Sequence, residues 1–444
     1  EYAMINKLDK EPAFRWWIKD VLKKRDRILS KVKSRYWKRT HKFGIELPKT
    51  VEDALALDRK NDNNFWKLAI EKEMKNVQPA FNFLDEGDCA PNGYQKIKLH
   101  MIFDVKMDFT RKARLVAGGH MTDTPASLTY SSVVSRDSVR LGLLLAALND
   151  LDVLSCDIGN AYLNAPCREK VWCIAGAEFG SRKGDKIIIV RALYGLKSSG
   201  AAWRAHLAES MSDIGYVPCE ADPDVWMKAN TDGKGRDYYE YVLIYVDDVL
   251  AISHEPNVIM NALTKLYRLK EPPEAPKRYL GANIGEYEFA DGGKAWYQSS
   301  DDYIKAAVKN VDKQLEDDGQ PPLSKKTSCV LPKDYKPELD LTTECSDEQA
   351  NYFQNLIGIL RWAVELGRID IHVQVAALSK YLANPRIGHL EMALHIFLYL
   401  KGHDRSKLVF DPEELVMTIP PPKNHDWYDF YPNAKGDLPP SMPE

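Results

Sequence analysis

The chain has 444 residues, of which 44% are hydrophobic, and its 61 basic and 64 acidic residues leave a net charge of -3. This length predicts a globular protein divided into several lobes of ordinary domain size. The near balance of charge excludes a uniformly basic protein, so any affinity for DNA or RNA must come from local patches. The seven cysteines are scattered without a CxxC pair, which argues against zinc and disulfides and indicates a reducing compartment.

The first 50 residues form a basic tail that contains aromatic side chains. Lysines and arginines crowd residues 15 to 42, together with four rings that could stack on bases: Trp16, Trp17, Tyr36 and Trp37. This composition fits a nucleic-acid-binding tail, such as the end of an integrase region, and equally a solvated linker. The chain does not begin with Met, so we expect a fragment of a longer protein. No apolar run approaches the roughly 20 residues that span a bilayer, and we expect no membrane contact.

The segments that follow the tail carry regular patterns. Residues 51 to 94 form a lead-in segment, with a helix predicted over residues 64 to 77 from the spacing of its apolar side chains. Residues 96 to 103 and 113 to 117 alternate like two strands of a hairpin. Ser135 is a predicted N-cap, and the helix after it is apolar nearly all round, so we expect that helix to be buried.

Two later strands place carboxylates where metal ions could bind. Residues 153 to 158 are typical of a short strand that displays Asp157 on the face opposite Cys156. The apolar residues 239 to 252 are interrupted by Asp247 and Asp248, which predicts a tight hairpin. Paired carboxylates inside such a hairpin raise each other's pKa and are costly to desolvate. Divalent magnesium offsets that cost, and Asp157 would complete an oxygen site for two ions.

The remainder of the chain is mostly helical. A helix is predicted over residues 257 to 269, a strand over 279 to 284, and a helical block over 349 to 366, 373 to 382 and 389 to 400. Prolines dominate after residue 411, which is typical of an extended linker. Because strands and helices mix without regular βαβ alternation, the sequence predicts the α+β class.

These motifs resemble the reverse transcriptases of copia-type long-terminal-repeat retrotransposons. The matching stretches, in chain order, are Lys112-Ala113-Arg114-Leu115-Val116-Ala117, Asp157-Ile158-Gly159-Asn160-Ala161-Tyr162-Leu163-Asn164 (usually DVKTAFLNG), Leu193-Tyr194-Gly195-Leu196-Lys197-Ser198-Ser199 followed by Ala202-Trp203 (LYGLKQSPRAW), Tyr245-Val246-Asp247-Asp248 and Tyr279-Leu280-Gly281. Gly200 stands where that family usually has proline. Farther on, Asn384-Pro385, His389 and Tyr399-Leu400-Lys401-Gly402 are similar to the segment that precedes the family's ribonuclease H domain. Together the motifs cover roughly residues 65 to 411.

The resemblance implies a right-hand polymerase fold of fingers, palm and thumb. Fingers and palm are expected over residues 95–286, and a largely helical thumb and connection block over residues 287–411. Residues 412–444 would then be a Pro-rich linker toward a ribonuclease H domain that this chain lacks. The implied activity is RNA-directed and DNA-directed DNA synthesis, a nucleotidyl transfer to a primer 3′-hydroxyl.

The resemblance also assigns roles to individual residues. Two Mg²⁺ ions, for which Mn²⁺ could substitute, would be held by Asp157, Asp247, Asp248 and the backbone carbonyl of Ile158. The residues assigned to the deoxynucleoside triphosphate are Lys112, Arg114, Tyr162, Tyr194 and Lys197. Those assigned to the primer are Tyr245, Val246, Tyr279, Leu280 and Gly281. Exposed strand charges remain an alternative for Lys112 and Arg114, and a core ring is the alternative for Tyr162.

The implied partners are an RNA template, a DNA primer or template, deoxynucleotides and other products of the same polyprotein. The expected location is a cytoplasmic virus-like particle, with the nucleus as the alternative. Two other functions stay open: an inactive retroelement remnant that only holds primer and template, and an integrase-linked fragment whose basic tail carries the binding. The sequence does not indicate the oligomeric state.

Overall fold

The computed structural model describes residues 41–42, 45–106, 109–123, 129–323 and 327–413. Nearly all of the predicted basic tail and of the Pro-rich linker lies outside these residues. Helices and strands are interspersed along the described chain, which confirms the mixed α and β class. Within the same residues, the structure contains no helix with the length and apolar character of a membrane span.

The described elements fall into two compact units. The helices are α1 Val51–Lys60, α2 Phe65–Val77, α3 Arg136–Leu148, α4 Ser199–Asp213, α5 Pro256–Leu266, α6 Asp301–Asp317, α7 Asp347–Glu365, α8 His372–Ser379 and α9 Ile387–Gly402. The strands are β1 His41–Lys42, β2 Ile45–Glu46, β3 Phe81–Phe83, β4 Gln95–Lys96, β5 Leu99–Val105, β6 Arg111–Ala117, β7 Asp152–Asp157, β8 Val171–Ile174, β9 Lys186–Ile189, β10 Val217–Pro218, β11 Val225–Thr231, β12 Asp237–Tyr245, β13 Asp248–Ser253, β14 Arg278–Tyr279, β15 Ala282–Glu288, β16 Lys294–Ser299 and β17 Lys407–Phe410. The first unit runs to Gly142 and resumes over Asp152–Leu280, and the second comprises Leu143–Leu151 and the chain from Gly281.

Helices α1 and α2 begin at side-chain caps. Thr50 accepts a hydrogen bond from the backbone N–H of Asp53 at 3.1 Å, and the buried carboxylate of Asp58 accepts from the first residues of α2. These bonds satisfy backbone donors that lack partners at a helix start. The predicted helix over residues 64 to 77 is confirmed as α2, which packs on strand β6.

Strands β5 and β6 form the predicted hairpin, paired antiparallel from Leu99 opposite Ala117 to Val105 opposite Arg111. The buried side chains of β6 alternate with half-buried ones, as a period of two requires. Lys112 and Arg114 therefore share one face of the strand. Glu73 of α2 accepts the backbone N–H of Leu115 at 2.9 Å and joins the helix to the hairpin.

A five-stranded antiparallel sheet carries the acidic motifs. Its strand order is β10-β11-β12-β13-β7, so β7 lies beside β13 although 90 residues separate them in the chain. Helices α4 and α5 cover one face with Trp203, Leu207, Ile259 and Leu263, which pack on β-branched and small residues of the sheet. Burial of this apolar face is the main force that fixes the sheet's register.

Helix α3 begins as predicted but is less buried than predicted. The Ser135 hydroxyl accepts a hydrogen bond from the backbone N–H of Ser138 at 3.0 Å, which is an N-cap bond. Leu143 and Ala146 are buried, whereas Leu141 is 59% exposed and Leu148 is 52% exposed. The expectation of burial all round was wrong, because an apolar helix sequence does not reveal which of its faces finds a partner.

The second unit combines a sheet with a helical cluster. Strands β15, β16 and β17 pair antiparallel, and helices α6, α7, α8 and α9 share one apolar core. Ser346 and Gln349 form a reciprocal capping box at the start of α7. The predicted helical block is confirmed, and its helix ends lie within a few residues of the expected ones. The predicted domain boundary at residue 286 falls inside β15, whereas the compact units divide after Leu280.

Candidate active site

The acidic pair lies at the tip of a hairpin with a two-residue turn. Tyr245 of β12 pairs with Asp248 of β13, so Val246 and Asp247 form the turn. Val246 has φ of 60°, a left-handed conformation that a β-branched residue rarely adopts. The indole N–H of Trp203 donates a hydrogen bond of 2.7 Å to the Val246 carbonyl. The turn is therefore held in a strained conformation by a buried side chain of α4.

Strand β7 brings Asp157 to this hairpin. Asp157 pairs with Asp248 in the sheet, and the backbone N–H of Ile158 donates to the Asp247 carbonyl at 2.8 Å. The three carboxylates therefore converge at one end of the sheet. Burial raises the pKa of Asp248 to about 6, and the charges of Asp247 and Asp157 add to this effect. Burial also raises the pKa of Asp157, although Lys270 opposes the shift.

The side chain of Lys270 lies between two of these carboxylates. Its Nζ is 2.5 Å from Oδ1 and 2.6 Å from Oδ2 of Asp157, and 3.0 Å from Oδ2 of Asp247. Burial disfavours the ammonium ion, but the two carboxylates outweigh burial and raise the pKa of Lys270. Lys270 is therefore a cation at the centre of the acidic cluster.

The donor set of this cluster suits a hard divalent cation. Across the described residues, no three or more His, Cys, Asp and Glu side chains are already arranged around one point as metal ligands. The acidic cluster nevertheless offers carboxylate oxygens alone, which Mg²⁺ prefers. Oδ1 of Asp157 is buried and lacks a hydrogen bond of good geometry. Among the described residues, its close partner is the Lys270 ammonium at 2.5 Å, an ion pair that a divalent cation could replace, so Asp157, Asp247 and Asp248 fit the metal site that the resemblance implies.

Strand β6 presents two cations near the acidic cluster, and Tyr162 and Tyr194 present two aromatic rings there. The Arg114 guanidinium lies 4.0 Å from the ring centre of Tyr194, and that ring lies 4.8 Å from Tyr162. Burial raises the pKa of both tyrosines, and the charge of Asp247 raises them further. Burial lowers the pKa of Lys112, and the positive charges of Arg114, Lys106 and Lys270 act in the same direction. Two cations and two rings thus lie within electrostatic reach of the carboxylates.

Comparison with known proteins agrees with this geometry. A family model described as "Reverse transcriptase (RNA-dependent DNA polymerase)" matches residues 88–314, just over half of the chain. The chain belongs to this family. The matched region includes every strand of the five-stranded sheet and all three carboxylates.

Curated relatives of this reverse transcriptase chain are proteins of copia-type transposons, as the motifs predicted. The retrovirus-related Pol polyprotein from transposon TNT 1-94 of Nicotiana tabacum is 26% identical, and the match covers 83% of the chain and 28% of the polyprotein. The putative transposon Ty5-1 protein of Saccharomyces cerevisiae is 27% identical over 55% of the chain and 74% of that protein. The Pol polyprotein from transposon RE1 of Arabidopsis thaliana is 24% identical over 80% of the chain and 23% of its own length. The chain thus spans about a quarter of each plant polyprotein.

Lys197, a predicted nucleotide contact, forms a hydrogen bond with the backbone of the reverse transcriptase chain itself. The Lys197 ammonium donates a hydrogen bond of 2.6 Å to the backbone carbonyl of Thr122. The next residue, Ser198, donates from both its backbone N–H and its hydroxyl to Glu169 at 2.8 Å. Lys197 therefore fastens its loop to the segment that follows β6. Its assignment to the triphosphate stays a prediction.

The predicted primer contacts divide into exposed and buried groups. Tyr245 is 37% exposed beside the acidic turn. Tyr279 is only 4% exposed, and its hydroxyl donates to the carbonyls of Leu243 and Asp248. The Tyr279 ring thus supports the hairpin from within, so a primer would meet the backbone at this position rather than the ring. Leu280 and Gly281 both have positive φ, which produces a sharp bend after Tyr279.

Two side chains of the site were absent from the sequence-based set. Trp203 was named only as part of the Ala202-Trp203 motif, yet its indole donates a hydrogen bond to the Val246 carbonyl and positions it. Lys270 was not singled out, although it contacts two predicted metal ligands. Its only sequence signal is its place between a predicted helix and the Pro272-Pro273 pair, which marks a loop but not a site.

Proposed function

We propose that the chain is the polymerase segment of a copia-type retrotransposon Pol polyprotein and extends a primer with deoxynucleotides on RNA or DNA templates. The observation that carries this proposal is the convergence of Asp157, Asp247 and Asp248 at one end of an antiparallel sheet. Two Mg²⁺ ions, when bound, would activate the primer 3′-hydroxyl and stabilise the leaving pyrophosphate. Membership of the reverse transcriptase family supports the reaction class.

In this proposal the carboxylates divide the binding of the ions. Asp157 and Asp247 would hold the ions together with the Ile158 carbonyl, and Asp248 would support the charge near the primer end. Little acid or base chemistry is required of the side chains, and the proton of the 3′-hydroxyl would pass to water. The protein's contribution is the placement of charge and of the two substrates.

The cations and rings beside the carboxylates bind the nucleotide in this proposal. Lys112 and Arg114 neutralise the triphosphate, because both lie on the face of β6 that is close to the acidic cluster. The Tyr162 ring, held against Tyr194, occupies the space where a ribose 2′-hydroxyl would lie and so favours deoxynucleotides. The primer end rests near Tyr245 and Val246, next to the acidic turn.

The proposed function assigns the described elements to a right-hand architecture. The β5–β6 hairpin with its lead-in helices would be the fingers, and the five-stranded sheet with α4 and α5 the palm. The helical cluster of the second unit would be the thumb and connection block. We further propose an RNA template, the other products of the polyprotein as partners, and a cytoplasmic particle as the place of action.

A primed RNA template tests the proposal directly. The intact chain and the double variant Asp247→Asn, Asp248→Asn are compared for Mg²⁺-dependent deoxynucleotide incorporation. The matched control is Asp237→Asn, an exposed strand residue of the same sheet. Extension by the intact chain and the control, but not by the double variant, is the expected result. A folded intact chain that binds primer and template without extension would instead support the inactive remnant.

A further inference from the structure

The loop that carries Lys270 runs along strand β7 as though it were an extra strand. The backbone N–H of Gly159 donates to the Arg268 carbonyl at 2.8 Å, and that of Lys270 donates to the Asp157 carbonyl at 2.9 Å. Glu274 continues this pairing with Ser155 in both directions. Backbone hydrogen bonds therefore fix the path of the loop around Lys270. Displacement of its ammonium from the carboxylates would require only a movement of the side chain.

The absence of a side chain at Gly159 lets the Lys270 loop approach β7 closely. A Cβ atom at Gly159 would lie 3.0 Å from the Arg268 carbonyl oxygen, tighter than nearly all real contacts. The related motif usually has lysine at this position, so this chain differs at the point where the loop crosses β7. The small residue lets the loop bring the Lys270 ammonium to the carboxylates.

The Lys270 ammonium and a divalent ion would need the same oxygens. Nζ lies 2.5 and 2.6 Å from the two oxygens of Asp157 and 3.0 Å from Oδ2 of Asp247. Mg²⁺ binds carboxylate oxygen at about 2.1 Å, and at these distances Nζ occupies the space beside all three oxygens that the ions would need. Lys112 adds positive charge on the side of β6. The two occupancies are therefore mutually exclusive at Asp157.

We propose that Lys270 is a built-in counter-ion, which holds Asp157 and Asp247 together while the site is free of metal and is displaced when a divalent ion binds. This inference rests on the proposed metal site. In the metal-free chain the ammonium relieves the repulsion between converging carboxylates. Metal binding must break this bridge, so Lys270 weakens the affinity for the ion while it stabilises the empty site.

A purely structural salt bridge would behave differently. Exposed ion pairs contribute little to stability, and 45% of the Lys270 side chain is exposed. Loss of such a bridge would lower stability equally with and without metal and would leave the metal affinity unchanged. The counter-ion role instead predicts that loss of the Lys270 charge lowers the stability of the metal-free chain and raises its affinity for the ion. The dissociation constant of the ion, measured without any catalysis, separates the two.

Lys270→Met is the test variant, because it keeps the length of the side chain and removes its charge. Lys277→Met is the matched control, since Lys277 is 80% exposed and pairs only with Glu274 of its own loop among the partners described. Mn²⁺ binding is measured by electron paramagnetic resonance of the free ion, and thermal unfolding is followed in EDTA and in Mg²⁺. Lys270→Arg, which retains the charge, serves as a second variant.

We expect Lys270→Met to bind Mn²⁺ about two- to fivefold more tightly than the intact chain, because no bridge has to be broken. Its unfolding temperature should fall in EDTA and recover with Mg²⁺, whereas Lys277→Met should match the intact chain in both. Lys270→Arg should retain the unfolding temperature of the intact chain in EDTA. Equal or weaker Mn²⁺ binding by Lys270→Met overturns the counter-ion role.

The double variant Asp247→Asn, Asp248→Asn distinguishes this failure from failure of the proposed function. If it loses Mn²⁺ binding while Lys270→Met and the intact chain bind equally, the metal site stands and the counter-ion role is refuted. If all three chains bind Mn²⁺ equally, the ions bind elsewhere and both proposals are refuted. If the double variant loses binding and Lys270→Met gains affinity, both are supported.

Discussion

Asp248→Asn should stabilise the metal-free chain even though it removes a proposed metal ligand. Burial raises the pKa of Asp248 from its ordinary 3.8 to about 6, and the charges of Asp247 and Asp157 add to the shift. The folded state therefore binds a proton more tightly than the unfolded state does. Ionisation of Asp248 costs folding free energy that grows as pH rises from about 4 to 6 and is constant above.

The size of this effect follows from the shift. A pKa difference of this size corresponds to about 3 kcal/mol at one unit per about 1.4 kcal/mol. Solvent screening at a half-buried carboxylate reduces the figure to about 1–2 kcal/mol. We expect Asp248→Asn to be more stable than the intact chain by that amount at pH 8, and the difference to vanish near pH 4.

Urea denaturation in EDTA at pH 4, 6 and 8 measures the difference. Asp222→Asn is the control, because it should change the free energy of unfolding in the opposite direction. Burial alone would raise the pKa of Asp222, but hydrogen bonds from Ser138 and Ser135 outweigh burial and lower it, so its stabilisation is present at neutral pH and is lost in acid. Asp222→Asn should therefore destabilise the chain at pH 8. An Asp248→Asn variant that is no more stable than the intact chain at pH 8 would refute the electrostatic account of the cluster.

Four further substitutions test the packing around the site. Gly195→Ala should destabilise the chain by more than about 3 kcal/mol in urea denaturation, because φ is 95° and a Cβ would lie 2.1 Å from the Ala117 carbonyl oxygen. Trp203→Phe should cost about 1–2 kcal/mol by the same assay, since the Val246 carbonyl loses its donor, and primer extension should slow with it. Gly200→Ala should raise stability by about 0.5–1 kcal/mol, because a Cβ there meets Ser131 only at an ordinary 3.4 Å and glycine is unfavourable in a helix. Tyr162→Ala should increase incorporation of ribonucleotides relative to deoxynucleotides; an unchanged ratio would remove the ring from sugar selection.

The hairpin and the helical block could be predicted because their signals are local. An apolar segment interrupted at its middle by Asp247 and Asp248 leaves few conformations other than two strands and a tight turn. The start of α7 is set by a local capping box between Ser346 and Gln349, and the predicted start at residue 349 lies two residues from the observed one. Such features depend on side chains that are close in the chain.

Other features depended on distant partners and could not be predicted. In α3, Leu141 and Leu148 are exposed whereas the chemically identical Leu143 is buried, and only tertiary packing distinguishes them. The Lys197 ammonium could point to a nucleotide or to a carbonyl, and Thr122 lies 75 positions away. Lys270 has no periodic signal, because its role is set by the path of a loop across β7.

The bridge between Lys270 and Asp157 joins residues 113 positions apart, and that separation has a consequence during translation. At about 5–20 residues per second, a ribosome needs about 6–23 s to proceed from Asp157 to Lys270. Asp247 precedes Lys270 by 23 positions, or about 1–5 s. For that interval the growing chain has all three carboxylates and lacks the lysine. Pairing of β7 with β13 in that interval would need counter-ions from solution, because the chain has not yet supplied its own.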